Sequence, residues 1–268
     1  MIKCIKKIFG FLWLMRIPIV AVSILLVMIS LNFCDTYNFY FIISLVFIIM
    51  AGYIQNDILD YEIDAISASS RPLPSGTISI HEAKILYKLL VILGIVGGLL
   101  SLNIFCLIYA CVVLVIFCVY TKYCKASWIL KNLFTAITST TVVFAPVLCG
   151  GKLNIKIVYL GSVAFFFTLG REILMDIRDR DGDQIIVNVK RPSSLFGHTM
   201  AFLFIFISFI IKETFFFKTD IERYMLYMLM ILIVYILFRK KKSIYWIMSE
   251  SIKIIFIYDL IKIYIESR

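Results

Sequence analysis

A chain of 268 residues that is 62% hydrophobic, 16% charged and has a mean hydropathy of +0.99 lies outside the range of soluble globular domains, where about a quarter of residues are charged. Composition excludes a soluble enzyme or binding module and points to an all-α integral membrane protein. The net charge of +10 invites a nucleic-acid partner, but its distribution along the chain reads as membrane topology, so neither RNA nor DNA is expected as a ligand.

A helical span needs about 20 apolar residues. Nine such runs fall near 12–33, 38–55, 84–101, 103–121, 131–149, 156–175, 195–212, 222–238 and 244–265, which predicts a bundle of nine transmembrane helices forming one domain over 1–268. The N-terminal stretch MIKCIKKIFGFLWLMRIPIV starts with cations and turns apolar. No small-residue cleavage site follows, so it is expected to be the retained first span rather than a signal peptide. Placing the N-terminus and the connections after spans two, four, six and eight on one side gives that side 19 of the 27 cations. The positive-inside bias then makes that side cytoplasmic, in a multi-pass protein of a bacterial or archaeal cell membrane.

The stretch that follows span two, NDILDYEIDAISASSRPLPSG from Asn56 to Gly76, is unusual for so apolar a chain. Asp57, Asp60, Glu62 and Asp64 crowd into eight residues. If the helix continues, Asn56, Asp60 and Asp64 at i, i+4, i+8 line one face and Asp57 points a quarter turn away. Like charges so spaced repel, and a cation must compensate. Arg71 follows in the loop. After span four, YTKYCK brings Tyr120, Lys122 and Lys125. Span six runs into a second acidic stretch, REILMDIRDRDGD, in which Asp176, Asp179 and Asp183 at i, i+3, i+7 share a face. Ten of the 17 acidic residues thus fall on the cytoplasmic side, nearly all in these two clusters.

One reading makes the clusters solvated helix ends paired with Arg178 and Arg180. The other makes them a divalent-metal site: carboxylate and amide oxygens suit Mg²⁺, which is commonly held by one or two carboxylates together with substrate phosphates. Arg71, Lys122 and Lys125 are then candidates for phosphate contact, Arg as a planar fork and Lys as a point charge. RKKK at 239–242 reads as topology signal or anionic-lipid contact. The last span carries Glu250, Lys253, Asp259 and Lys262 and reads as an amphipathic or peripheral helix, with Glu250 and Lys253 spaced to pair. Seven cysteines without C-x-x-C spacing suggest packing residues, not a disulfide framework or zinc site.

The first stretch resembles the N-D-x-x-D-x-x-x-D motif and following R-P-x-P-S-G of the UbiA superfamily of intramembrane prenyltransferases, and the second resembles their other aspartate-rich motif. The similarity is greatest to the branch with digeranylgeranylglyceryl phosphate synthase and chlorophyll synthase. It implies nine helices around a central cavity open to lipid, Mg²⁺ as cofactor, a polyprenyl diphosphate donor and a lipophilic acceptor, with no obligate protein partner. By position it implies Asn56, Asp57, Asp60, Asp64, Asp176, Asp179 and Asp183 as metal ligands and Asp60, Asp64, Asp176 and Asp179 as the catalytic set. Asn56, Arg16, Arg71, Tyr120, Lys122 and Lys125 match substrate-binding positions. Two departures stand out: MRIPIV lacks the R-P-x-N of many relatives, and Met175 replaces a lysine often found before the second motif. A cyclase acting on the donor alone is the alternative outcome. An ion transporter fits less well, because its carboxylates belong near the bilayer midplane rather than at span ends. Phe144, Phe165, Phe166 and Phe167 are candidates for lining the apolar cavity.

Overall fold

The computed structural model describes residues 2–67, 70–120, 127–187, 194–217 and 242–267, among which there is no strand. The chain packs as two compact units: residues 1–31, 35–125 and 145–152, and residues 32–34, 126–144 and 153–268.

In the first unit, the expected span over 12–33 is split. Helix α1 (Ile2–Leu14) and helix α2 (Ile17–Phe33) meet at 44°. Pro18 accounts for the break: in a continuous helix its ring would strike the carbonyl of Leu14, and it has no N–H to donate. In the first turn of α2 the missing donor costs nothing, because N–H groups there lack helical partners. Arg16 turns the corner with a left-handed φ of 49°, and its carbonyl accepts from Ile19 and Val20 at 2.9 and 3.1 Å.

Helix α3 (Phe39–Leu59) and the short α4 (Tyr61–Ser67) are followed by α5 (Ile80–Leu100) and α6 (Ile104–Val119). Their starts are written locally. Asn38 caps α3 by accepting from Phe41 N at 3.0 Å, Ser79 and Glu82 form a capping box on α5, and Asn103 caps α6 by accepting from Phe105 N at 2.9 Å. Lipid offers helices no hydrophobic gain from joining, so close approach and hydrogen bonds hold them. Accordingly, a Cβ on Gly97 of α5 would lie 3.0 Å from Ser44 N of α3, and Ser44 Oγ donates to Gly94 O at 2.6 Å. Leu14, Ile54, Leu73, Ile78 and Ala83 form a buried cluster that joins α1, α3, α5 and the loop before α5. This cluster supports the first acidic stretch.

The second unit contains most of α7 (Trp128–Leu148), then α8 (Ile155–Val187), α9 (Ser194–Lys212) with a π-helical turn at Glu213–Phe217, and α10 (Lys242–Glu266). With 33 residues, α8 is about 50 Å long and exceeds a hydrocarbon core of about 30 Å. Its apolar part ends at Ile177, so the second acidic stretch lies where the helix leaves the apolar layer. A Cβ on Gly170 would stand 2.7 Å from Ala201 O, and Ser208 Oγ donates to Val163 O at 3.1 Å, which locks α8 to α9. Phe167 stacks on Phe256 of α10 at 3.9 Å and Phe166 on Phe204 of α9 at 6.1 Å, so these two candidate cavity residues pack helix against helix.

The last helix is more than peripheral. Its Asp259 pairs with the Lys212 ammonium, which also lies 3.4 Å from Glu213 Oε1. All three are less than 5% exposed, a burial that charged groups tolerate only in each other's company. Glu250 and Lys253 pair at 2.7 Å, as their spacing suggests.

Among the described residues five helices are long and apolar enough to cross a membrane, or six if the bent α1–α2 pair is one span. Helix α6 is shorter, and the run at 222–238 lies outside the described residues, so nine spans are not established. The cysteines divide as well: Cys34 and Cys106 are buried and Cys149 half-buried, but Cys111 and Cys118 are exposed and are not packing residues.

Candidate functional site

The helix carrying the first motif does not continue unbroken, as the spacing alone suggests. Helix α3 stops at Leu59, Asp60 is its cap with φ −88° and ψ 2°, and α4 begins at Tyr61. The physical reason is the sign of the helix ends. Carboxylates at the C-terminus of α3 would meet the negative end of its dipole, whereas the break puts Glu62 and Asp64 in the first turn of a new helix, at its positive end. The i→i+4 ladder still crosses the junction, from Asp60 N to Asn56 O at 3.0 Å and from Asp64 N to Asp60 O at 2.8 Å. Asn56, Asp60 and Asp64 therefore remain stacked, and Asn56 Nδ2 donates to Asp60 Oδ2 at 3.0 Å.

Asp57 and Asp64 are 5% and 6% exposed. Buried carboxylates demand a counter-charge. Arg16 Nη2 donates to Asp57 Oδ1 at 3.0 Å, with its guanidinium 5.0 Å from the centre of the Tyr53 ring. Arg71 Nη1 donates to Asp64 Oδ2 at 2.5 Å. The strained corner at Arg16 is thus what delivers its side chain to the motif. Arg16 and Arg71, matched from sequence to the diphosphate, are paired here with the motif's own carboxylates.

Burial pushes the Asp64 carboxyl above its ordinary value of 3.8, and Arg71 opposes that rise. The folded chain then holds the proton more tightly than the unfolded one. This group favours the fold most below pH 3.8, and that contribution is lost as pH rises through the folded value. A cation binding Asp64 competes with that proton. Mg²⁺ affinity, measured by titration calorimetry across pH, is expected to fall as pH drops through the Asp64 transition. Arg71→Gln should move the transition to higher pH, and a pH-independent affinity would remove Asp64 from the ligand set.

In the second unit, Asp176 is 1% exposed and is gripped from α7. The Lys131 ammonium sits on Oδ1, and Asn132 Nδ2 donates to Oδ2 at 2.7 Å. Nearby, Arg171 pairs with Glu172 at 2.7 Å. Helix α8 runs unbroken to Val187, so Asp176, Asp179 and Asp183 occupy one helical face by position. The side chains of Asp179 and Asp183 lie outside the described residues, as do Lys122 and Lys125 entirely. Tyr120 caps α6, its N–H directed to Ile116 O and Phe117 O.

No group of three His, Cys, Asp or Glu side chains converges as a ready-made metal site among the described residues. The donor chemistry nevertheless suits a hard cation. Asn56 Oδ1 and Asn132 Oδ1 are buried oxygens without a hydrogen-bond partner, each on an amide whose nitrogen is held by a motif aspartate. Amide and carboxylate oxygens are what Mg²⁺ takes, alongside water and phosphate.

Sequence reasoning missed three of these residues. Lys131 looks like a topology cation, Asn132 like a polar residue opening an apolar run, and Tyr53 like any aromatic in a span. Their one signal is that every buried carboxylate must find a partner, and that rule names no residue.

A family model described as the UbiA prenyltransferase family matches residues 11–259. The digeranylgeranylglyceryl phosphate synthase of Saccharolobus solfataricus is 38% identical over 148 residues, which is 54% of this chain and 52% of that one. The chain thus spans about half the length of the relatives it matches. Among solved structures, one of a digeranylgeranylglyceryl phosphate synthase aligns with a TM-score of 0.63 at 26% identity, covering 98% of this chain and 99% of that one. A UbiA homologue from Archaeoglobus fulgidus bound to GPP and Mg²⁺ aligns with a TM-score of 0.60 at 18% identity, covering 95% and 99%.

Proposed function

Because the chain belongs to the UbiA prenyltransferase family, we propose that it is a membrane prenyltransferase that ionises a polyprenyl diphosphate with Mg²⁺ and transfers the prenyl group to a lipophilic acceptor, releasing diphosphate. The observation that carries this reading is the pair of acidic stretches with buried aspartates, each held by cations and by an amide that leaves one oxygen unpartnered.

In this reading Asn56, Asp57, Asp60 and Asp64 of the first motif and Asp176, Asp179 and Asp183 of the second hold Mg²⁺. The metal, when bound, neutralises charge developing on the leaving diphosphate. The chain's own cations do related work. Arg71 and Arg16, already drawn to the carboxylates, exchange part of that pairing for phosphate oxygens, and Lys122, Lys125 and Tyr120 add contacts. Preorganised charges of this kind cost no reorganisation when the allylic C–O bond breaks. Asn56 and Asn132 hold the aspartates in orientation. The likeness of the first motif and its R-P-L-P-S-G tail to the lipid-ether branch favours a geranylgeranylglyceryl phosphate-like acceptor over an aromatic one. The cation bias puts the N-terminus and both motifs on the cytoplasmic side of a cell membrane.

The test is incubation of purified protein with Mg²⁺ and labelled geranylgeranyl or farnesyl diphosphate, with and without a panel of glycerol-phosphate and aromatic acceptors, and mass spectrometry of the products. A prenylated acceptor formed only with Mg²⁺ is the expected result. A cyclised hydrocarbon from donor alone would replace transfer with cyclisation. No Mg²⁺-dependent consumption of any donor would overturn the proposal.

A further inference from the structure

At the other end of α3 from the acidic motif, a cavity of ≈ 70 Å³ is lined by Asn38, Phe41, Asn103, Cys106 and Cys149, among others. Two free thiols share this small space. Cys106 lies in the first turn of α6, its N–H directed to Asn103 O at 3.1 Å, and Asn103 Nδ2 donates to Cys149 O at 2.6 Å. One asparagine therefore ties the start of α6 to the turn after α7. That turn is itself anchored, since Cys149 N donates to Ala145 O at 3.0 Å and Gly150 turns with φ 100°. Cys106 and Cys149 both line this cavity. Neither belongs to the acidic motifs.

We propose that Cys106 and Cys149 form a dithiol that closes to an intramolecular disulfide by exchange with a small-molecule disulfide. Cys106 is 1% exposed and Cys149 half-buried, so Cys149 reacts first. Its thiolate attacks the reagent, breaking that S–S bond, forming a mixed disulfide and expelling one small thiol. The Cys106 sulfur then attacks the Cys149 sulfur and expels the second thiol. Both cysteines are oxidised, the reagent is reduced to two thiols, and the two cysteine protons end on those thiols. The attack follows the usual thiolate route. The site sits about 30 Å along α3 from Asp57. If the acidic motifs are cytoplasmic, as proposed above, the dithiol faces the outer side, where disulfides persist. The chemistry itself does not depend on that topology.

The test uses the full chain in lipid nanodiscs, treated with oxidised glutathione, trapped with N-ethylmaleimide, digested and read by mass spectrometry. The expected product is a linked Cys106–Cys149 peptide pair, lighter by two hydrogens, that dithiothreitol reverses. Cys106→Ser should leave a glutathione adduct on Cys149, and Cys149→Ser should leave Cys106 unmodified. Cys111 and Cys118, exposed on the apolar helix α6, serve as controls expected not to link to Cys106 or Cys149. Recovery of Cys106 in the treated wild-type chain as a free thiol or as the maleimide adduct, or its linkage to any other cysteine, would overturn the proposal without reference to the variants. Prenyl-transfer activity is not a readout, so this result stands apart from the functional reading.

Discussion

Asp60→Ala is expected to lower Mg²⁺-dependent turnover by about 10²–10³-fold or more while the protein stays folded, because it removes one preorganised contributor to the charge stabilisation of the transition state. The separation of activity from stability follows from where Asp60 sits. It is half-buried at the break between α3 and α4, and its side chain accepts from Asn56. The half-buried cations of this stretch keep their own partners, Arg16 on Asp57 and Arg71 on Asp64. Truncation therefore leaves both of those ion pairs intact, unlike truncation of either neighbour. Turnover from product mass spectrometry, set beside the thermal unfolding midpoint in the same detergent, checks both halves. Full activity with an unchanged midpoint would take Asp60 out of the site.

Asp176→Ala has the larger structural effect. It leaves the Lys131 ammonium, with a side chain only 20% exposed, and the Asn132 amide without their shared carboxylate. Breaking a buried pair from one side costs about 3–5 kcal/mol. A lowered unfolding midpoint and lost turnover are both expected. The informative variant is the double replacement Asp176→Leu with Lys131→Met. Substituting both partners by apolar groups of similar size is often neutral or stabilising. The double variant should regain part of the stability, short by the cost of leaving the buried Asn132 amide unpaired, and none of the turnover. Recovered activity would show that Asp176 only holds the helices together. Unrecovered stability would show that the pair is not an isolated unit.

The two cases differ because the motifs solve the same electrostatic problem differently. Near Asp57 and Asp64 the compensating cations are arginines from the α1–α2 corner and the loop after α4. At Asp176 a lysine and an asparagine come from the preceding helix, 45 and 44 residues away in sequence. At Asp176 the positive charge is brought in by Lys131 of α7.

Much of this was legible without coordinates. Apolar runs of span length mark helices because a bilayer leaves backbone groups no partner outside the helix. The caps at Asn38, Ser79 and Asn103 are local devices, since a side chain there satisfies an N–H two or three residues on. Both acidic stretches, their order and the helical register within them depend only on spacing along one chain segment. The break at Asp60 was less visible, because α3 and α4 share a hydrogen-bond ladder across it and the determining factor is the polarity of the helix ends. The corner at Arg16 was written in Pro18 but is easily hidden inside an apolar run.

What the tertiary structure alone decided is which charge meets which. Arg16 reaches Asp57 across 41 residues and Lys212 reaches Asp259 across 47, and Cys106 meets Cys149 through an asparagine that touches both segments. Composition and periodicity state that a buried carboxylate needs a cation. They do not say from which helix it comes, because Coulomb energy and desolvation depend on distances between side chains that chain order leaves open.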